Sequence, residues 1–271
     1  MAGAHEVIRV DLAHGALHHA ALALPTGFDE MALAKADRVA TLDVASALLQ
    51  RLGLRFDDGP DAVTDVSALT VGNKERLLFA LCKHLYGATA DLVASCPNCS
   101  KLCELTFCFD DVQATGPTAK GWFPLGDGWQ AEVRPPTLGD IAAVRHVPEE
   151  AASRALIEIC IARLVDASGA IVPAQMLPPS LEAQVAERLE TMDPASETRA
   201  LVTCPACSMD FEAEIDALTL LTKKLSSSTA LYGEVYRMAR AYHWSEADIL
   251  NLPVQRRRTY LAVVETAGGM P

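Results

Sequence analysis

The 271-residue sequence predicts an α+β protein built from two tandem repeats and a C-terminal helical arm. Three observations predict this fold class: a CPxC tetrad occurs twice, a longer pattern recurs around each tetrad, and the last 51 residues are basic whereas the rest are acidic. Half of the residues are apolar and 21% are charged, so the chain can close more than one core. Its length fits about one to three domains.

The first repeat is predicted to span residues 1–111, from an N-terminal hairpin to the strands around the first tetrad. Alternating apolar residues predict strands, and apolar residues at helical spacing predict helices. The predicted elements are two hairpin strands, two helices and two tetrad strands, at 6–12, 17–24, 44–52, 75–85, 91–95 and 104–109. A segment rich in glycine, proline and threonine at 112–120 is predicted to be a linker.

The second repeat is predicted to span residues 121–216 and to contain the same kinds of element. They lie at 121–125, 129–134, 151–164, 181–189, 199–203 and 210–215. The first two strands are joined through an Asp-Gly pair at 127–128, which is typical of a tight hairpin turn. The run LPTGFD at 24–29 aligns with PPTLGD at 135–140. From Asp29 to Cys96 is 67 positions and from Asp140 to Cys204 is 64, which indicates an internal duplication.

Four of the eight cysteines form the two tetrads: Cys96 with Cys99, and Cys204 with Cys207. Two such turns supply four thiolates, the ligand set of a closed, four-coordinate structural zinc site. We therefore predict one structural zinc ion per chain, shared by the two repeats as in a zinc ribbon. A redox-active CxxC would lead directly into a helix, and neither tetrad does. Four buried free thiols would leave the duplicated pattern unexplained.

The other four cysteines are predicted to lie outside the metal site. Cys82 and Cys160 occur within apolar runs and are expected to be small core residues. Cys103 and Cys108 follow the first tetrad on its return strand, where they are either strand packing or alternative ligands.

The arm is predicted to span residues 217–271. Its last 51 residues carry seven basic and four acidic side chains, whereas the preceding 220 carry 16 basic and 31 acidic ones. An apolar stripe at 231, 235, 238 and 242 has helical spacing, Ser245 to Asp248 fits a capping box, and Pro253 fits the first position of a last helix. The arm either packs on the body or docks a partner. The docking candidates are Tyr236, Tyr242, His243, Trp244, Arg256, Arg257 and Tyr260.

These spaced motifs resemble phage baseplate proteins of the T-even type and related proteins of phage-like contractile injection systems. In the body the resemblance rests on LPTGFD at 24–29, LTVGNKERLL at 69–78, the dipeptide YG at 86–87 and both CPxC tetrads. The second repeat adds RPPT at 134–137 and MDP at 192–194. One segment of the arm resembles a segment of small tail proteins encoded near tape-measure genes. It consists of ARAYHWSEADIL at 239–250, LP at 252–253 and RRRTYL at 256–261. The family pattern has an acidic residue after Gly72, where this chain has Asn73, so no ion pair is expected from that position.

The resemblance implies a non-enzymatic protein that helps to build a contractile tail, as a baseplate or hub component or as a transient assembly factor. Its implied partners are other tail and baseplate proteins, and its implied location is the cytoplasm of a bacterial host or a phage-like particle. The sequence contains no GxSxG, HExxH or Walker-type motif, so neither catalysis nor a small-molecule substrate is expected.

Binding to membranes or nucleic acid is not expected either. The sequence contains no long apolar run and has a net charge of −12, which repels phosphate backbones. The alternative function is a zinc-ribbon nucleic-acid-binding or regulatory adaptor protein.

Overall fold

The computed structural model describes residues 7–12, 19–35, 41–56, 65–112, 122–224 and 228–268. Within these ranges the chain is a mixed α+β protein with small antiparallel sheets, as the sequence predicts. The predicted linker lies outside the described residues apart from Val112, and so does the turn of the N-terminal hairpin.

Within its described residues, the first half contains an antiparallel sheet, three α-helices and a separate hairpin that carries the first tetrad. The sheet has the order β1-β2-β3, and the hairpin is formed by β4 and β5. The elements are β1 Val7–Asp11, β2 His19–Ala23, α1 Gly27–Lys35, α2 Thr41–Arg51, β3 Arg55–Phe56, α3 Val71–Tyr86, β4 Thr89–Ser95 and β5 Leu102–Cys108.

The second half has a four-stranded antiparallel sheet of order β6-β7-β8-β9 and a second tetrad hairpin, β10 with β11. The turn before β7 has positive φ angles at Asp127 (58°) and Gly128 (80°), as its Asp-Gly sequence predicts. The elements are β6 Phe123–Pro124, β7 Gln130–Val133, α4 Leu138–Val144, α5 Glu149–Cys160, β8 Ile161–Val165, β9 Ile171–Val172, α6 Glu182–Met192, β10 Arg199–Thr203 and β11 Asp210–Glu214.

The helix predicted at 151–164 is wrong over its last four residues. The helix α5 ends at Cys160, and Ile161–Val165 continues directly as strand β8 between β7 and β9. The Cys160 carbonyl accepts a hydrogen bond from the backbone of Arg134 at 2.9 Å, which fixes the chain beside the end of β7. Periodicity alone does not show whether a short apolar run ends a helix or forms a strand, and here pairing with β7 and β9 makes the segment a strand.

The C-terminal segment contains four helices: α7 Ala217–Lys224, α8 Ser228–Tyr242, α9 Glu246–Leu250 and α10 Val254–Gly268. The predicted capping box forms, because the Ser245 side chain accepts from the Asp248 backbone and the Asp248 side chain accepts from the Ser245 backbone. Pro253 directly precedes α10 instead of occupying its first position, and its carbonyl accepts the Arg257 N–H at 3.0 Å.

The predicted arm packs on the body. Its first helix, α7, buries Leu218, Leu220 and Leu221 in the main core with α3, although the sequence analysis assigned it to the arm. The apolar stripe of α8 forms a smaller core with α9, α10 and Met31 of α1. The Val254 N–H donates to the Pro25 carbonyl at 3.0 Å, which joins the start of α10 to the segment before α1.

A buried polar contact joins the two halves; we call it the Asp193 junction. The Asp193 carboxylate accepts the backbone N–H of Gly72 at 2.9 Å and a guanidinium N–H of Arg76 at 3.2 Å. The side chains of Arg76 and Asp193 are both almost fully buried. A short antiparallel bridge between Thr70 and Thr137 lies beside this contact. The first turn of α3 is therefore held by the second half of the chain.

Candidate metal centre

The two CPxC turns have the same backbone geometry. In the first, the Cys96 N–H donates to the Lys101 carbonyl and the Ser100 N–H donates to the Cys96 carbonyl, both at 2.9 Å. The second turn repeats both bonds at 2.9 Å, and Ser100 and Ser208 share a φ of 57°. The positive φ reverses the chain and brings both cysteines of a tetrad to the tip of the hairpin. Strands flank both turns, as the sequence predicts.

The structure brings the four tetrad sulfurs together. All four Sγ atoms lie within 4.8 Å of one another, with Cys96 to Cys207 at 3.7 Å and Cys99 to Cys204 at 3.6 Å. A tetrahedral ion with metal–sulfur bonds of about 2.3 Å requires sulfur–sulfur distances of about 3.8 Å. The four cysteines are not joined by disulfides. Each of the two close pairs combines one cysteine from each half, so an ion bound here would join the halves.

The cluster is buried on one side and exposed on the other. Cys96 and Cys204, the first cysteine of each tetrad, are each 1% exposed, whereas Cys99 is exposed and Cys207 is half-buried. Val202 packs against the cluster from between the hairpins. The four ligand positions are thus all supplied by the chain, and a tetrahedral ion would have no open position for water or substrate.

The electrostatics of the four-sulfur cluster favour a bound cation. Desolvation opposes ionisation of Cys204, but the backbone N–H groups of Ala206 and Cys207 outweigh it and lower the pKa of this thiol to about 6. The backbone of Lys101 favours the Cys99 thiolate, yet desolvation and the neighbouring sulfurs raise the pKa of Cys99 to about 12. Four sulfurs this close cannot all ionise without a counter-charge, which a divalent metal ion would supply.

The remaining cysteines lie outside the four-sulfur group. Cys103 is buried beside it, with its Sγ donating to the Lys101 carbonyl at 3.5 Å, and Cys108 lies at the opposite end of β5, paired with Thr89. Cys82 and Cys160 are fully buried core residues, as the sequence predicts. Desolvation raises the pKa of both thiols, that of Cys160 to about 11.

The docking candidates of the arm separate into exposed and packed side chains. Tyr236 is 61% exposed on α8, and His243 and Arg256 are exposed as well. The other three aromatic candidates pack on one another at ring separations of 4.9 to 5.6 Å and are half-buried: Tyr242, Trp244 and Tyr260. Their shared packing stabilises the corner between α8, α9 and α10.

Arg257 is not a surface residue, and its prediction as a docking side chain is wrong. It is fully buried, donates to Glu234 of α8 at 2.9 Å and also bonds the buried Glu30 of α1. Its neighbours Arg256 and Arg258 remain more accessible. Helical periodicity turns one arginine of the run towards α1 and α8, each of which supplies one carboxylate to it. Tyr232, a further aromatic residue of the arm, is 51% exposed one turn before Tyr236.

Comparison with protein-family models, with curated proteins and with solved structures gives no match for this chain. In the part of the chain that the structure describes, no helix combines the length and the apolar character needed to cross a membrane.

Proposed function

We propose that the four clustered cysteines bind one structural zinc ion and that this ion joins two tandem repeats in a zinc-ribbon-like site. The four-sulfur distances and the closed ligand set support this proposal. Zinc is the metal that a tetrahedral set of four thiolates suits best, together with iron in iron–sulfur proteins. The ion adds a metal-dependent connection to the contacts that the halves already make.

The order of elements supports the tandem duplication. Each half begins with two antiparallel strands, followed by two helices and a return to the same sheet. Each then continues with one more helix, α3 or α6, and ends with a CPxC hairpin. The two halves are also similar at the start of the helix that follows their second strand, which is α1 in the first half and α4 in the second. The Asp29 carboxylate accepts from the backbone and hydroxyl of Thr26 at 2.9 and 2.8 Å, and Asp140 accepts both equivalents from Thr137 at 2.8 Å.

On this basis the protein acts as a structural or assembly component of a phage-like contractile tail, and not as an enzyme. The single structural observation that favours a non-catalytic role is the metal-ligand set, which leaves no coordination position open. The assignment to a contractile tail is supported by the spaced motifs of both repeats and of the arm. The exposed Tyr236 of α8 gives the arm an aromatic side chain for contact with tail partners.

Deletion of the gene in its natural host, with complementation by a tagged chain, tests this function. We expect electron microscopy to show no complete contractile tails in the deletion strain and their return with the tagged wild-type chain. Normal tails in the deletion strain would contradict the proposal. Co-purification of the tagged chain with sheath, tube or baseplate proteins at each stage then distinguishes a permanent component from an assembly factor.

The second candidate is a zinc-ribbon protein that binds nucleic acid or acts as a regulatory adaptor. The cysteine cluster fits it, but the surfaces of the two hairpins do not, since they carry many carboxylates: Asp91, Glu104, Asp110, Asp111, Asp210, Glu212, Glu214 and Asp216. Binding of duplex and single-stranded DNA at about 50 and 200 mM salt separates the two functions, because phosphate contacts give a steep salt dependence. We expect negligible binding at both; tight, salt-sensitive binding would favour this candidate.

A further inference from the structure

A groove of about 400 Å³ lies between the first tetrad hairpin on one side and the end of β11 with helix α7 on the other. Residues 91–94 of β4 form one wall. Residues 213–216 form part of the opposite wall, and Thr219, Leu220 and Lys223 of α7 complete it. On the first wall the four consecutive residues belong to β4, so the edge of that strand faces the groove as well as its side chains, whereas on the second wall β11 ends at Glu214 and residues 215–216 lead into α7.

The backbone of β4 has free hydrogen-bonding groups along this groove. The strand pairs only with β5 among the described residues, with Val93 opposite Glu104 and Leu92 opposite Leu105. In an antiparallel pair, every second residue of a strand is hydrogen-bonded to its partner strand. The Cys96 N–H donates to the Lys101 carbonyl at one end of the hairpin, and the Phe109 N–H donates to the Ala88 carbonyl at the other. The residues of β4 that bond to β5 are therefore the even-numbered ones. The N–H and C=O groups of Asp91 and Val93 therefore point away from β5.

The side chains around the groove alternate in character. Leu105, Ile215 and Leu220 form an apolar floor, whereas the carboxylates of Asp91 and Glu214 lie at exposed positions on the two walls. The carboxylate of Asp216 caps α7, accepting the Leu218 N–H at 2.9 Å. Among the described residues of the lining, Lys223 is the one basic side chain against Asp91, Glu214 and Asp216, so they carry an excess of negative charge.

We propose that this groove binds an extended segment of a partner protein as an added strand on the edge of β4, and that this segment alternates basic and aliphatic residues. The free backbone groups of Asp91 and Val93 supply the pairing, as in other cases of strand addition to a sheet edge. Every second side chain of the segment contacts the apolar floor, and the others face the carboxylates. The groove is formed by protein side chains and backbone, so this inference does not rest on the proposed function.

The test measures binding of a fluorescein-labelled ten-residue peptide of alternating lysine and valine to the full chain by fluorescence anisotropy. Two control peptides replace lysine with glutamate or keep the same composition in two blocks, five lysines followed by five valines. We expect the alternating peptide to bind at least about tenfold more tightly than either control at roughly 150 mM salt, because only it satisfies both charge and alternation. Equal affinity for the three peptides would overturn the proposal.

Substitutions with matched controls locate the site. Val93→Pro removes an N–H that points into the groove and is not bonded to β5, and we expect at least about a tenfold loss of affinity because strand pairing is blocked. Leu201→Pro is the control. Like Val93, Leu201 lies three residues before the first cysteine of its tetrad, and its side chain is exposed. Its strand, β10, pairs only with β11 among the described residues, and Leu201 does not line the groove. We expect the control to change affinity less than about twofold, by the same backbone argument.

A charge reversal tests the same site without a proline. Asp91→Lys is expected to weaken the alternating peptide at least about fivefold through like-charge repulsion, whereas Glu104→Lys, on the neighbouring strand and outside the groove lining, has a smaller effect. Thermal unfolding and far-UV circular dichroism verify that each variant is folded. Equal effects of the two proline variants, or of the two lysine variants, would refute a site at the β4 edge. If both proline variants unfold, the lysine pair decides.

Discussion

Two of the contacts that join the halves of the body differ in chemistry. At the Asp193 junction, a buried carboxylate accepts from Gly72 and Arg76, and the chain supplies every partner. At the cysteine cluster, four sulfurs approach each other but the pKa values of Cys99 and Cys204 move in opposite directions, and a cation is needed to stabilise all four as thiolates. The first junction therefore needs no metal, whereas under the proposed function the second should respond to chelation and oxidation.

The largest effect is expected from Asp193→Ala. Desolvation lowers the pKa of Arg76 and the Asp193 carboxylate raises it, so the substitution removes the stabilisation that this carboxylate gives to a buried guanidinium. We expect the free energy of unfolding to fall by about 3–5 kcal/mol, measured by urea denaturation. The control is Asp43→Ala, which removes an exposed ion pair with Arg145 and should cost less than about 1 kcal/mol. Equal costs would show that the Asp193 junction is not important for stability.

A methyl group at Gly72 tests how tightly the Asp193 carboxylate packs against the first turn of α3. A Cβ there would lie 2.0 Å from Oδ1 of Asp193, so the carboxylate has to move. We expect Gly72→Ala to destabilise the protein by about 1–3 kcal/mol. Gly233→Ala on α8, where a Cβ meets nothing within 4 Å, should instead be neutral or stabilising by up to about 1 kcal/mol. A Gly72→Ala cost that is unchanged in an Asp193→Ala background would contradict the steric explanation.

A half-exposed contact should contribute less than the buried junction. Desolvation opposes ionisation of Asp140, but hydrogen bonds from Arg134 and Thr137 outweigh it and lower its pKa from 3.8 to about 2. Because the folded-state pKa is depressed, the stabilisation is present above about pH 4 and is lost as the pH falls towards 2. We expect Asp140→Asn to cost about 1–2 kcal/mol at pH 7 and progressively less below pH 4, from urea unfolding at several pH values. A pH-independent difference would contradict the ionic origin.

The smallest effect on stability is expected at the exposed surface of the arm. Tyr236 is 61% exposed, and Tyr236→Ser should change the free energy of unfolding by less than about 0.5 kcal/mol. Under the proposed function, the same substitution should reduce co-purification with tail proteins. Deletion of the whole arm is a poorer test, because it exposes Glu30, which pairs with Arg257. A folded Tyr236→Ser variant that assembles normally would exclude this side chain from docking.

The sequence correctly predicts those turns and caps that depend on neighbouring residues alone. The CPxC turns, the Asp-Gly turn and the Ser245–Asp248 capping box all depend on residues within a few positions, and all three form. The four-sulfur cluster could be predicted because the duplicated spacing is unusual. The strand after Cys160 could not, because its apolar run fits either a helix or a buried strand until its neighbours in the sheet are known.

Buried polar contacts between residues that are distant in the sequence could not be predicted either. Arg257 belongs to a run of three arginines that reads as a solvated helix face, and only the position of α1 shows that Glu30 meets it. Asp193 and Arg76 are separated by 117 positions, and neither local pattern indicates a partner. The Met-Asp-Pro motif at 192–194 marks this position in the sequence, but it does not show what the aspartate contacts.

The zinc content of the purified chain and its single-cysteine variants tests the central claim most directly. We predict about one zinc ion per wild-type chain, as four thiolates require, and loss of that ion in both Cys96→Ser and Cys204→Ser, since each half supplies two ligands. Cys108→Ser, which lies outside the four-sulfur group, should retain the ion. Zinc-free wild-type protein, or retention of the ion in either Cys96→Ser or Cys204→Ser, would contradict a site shared by the two halves.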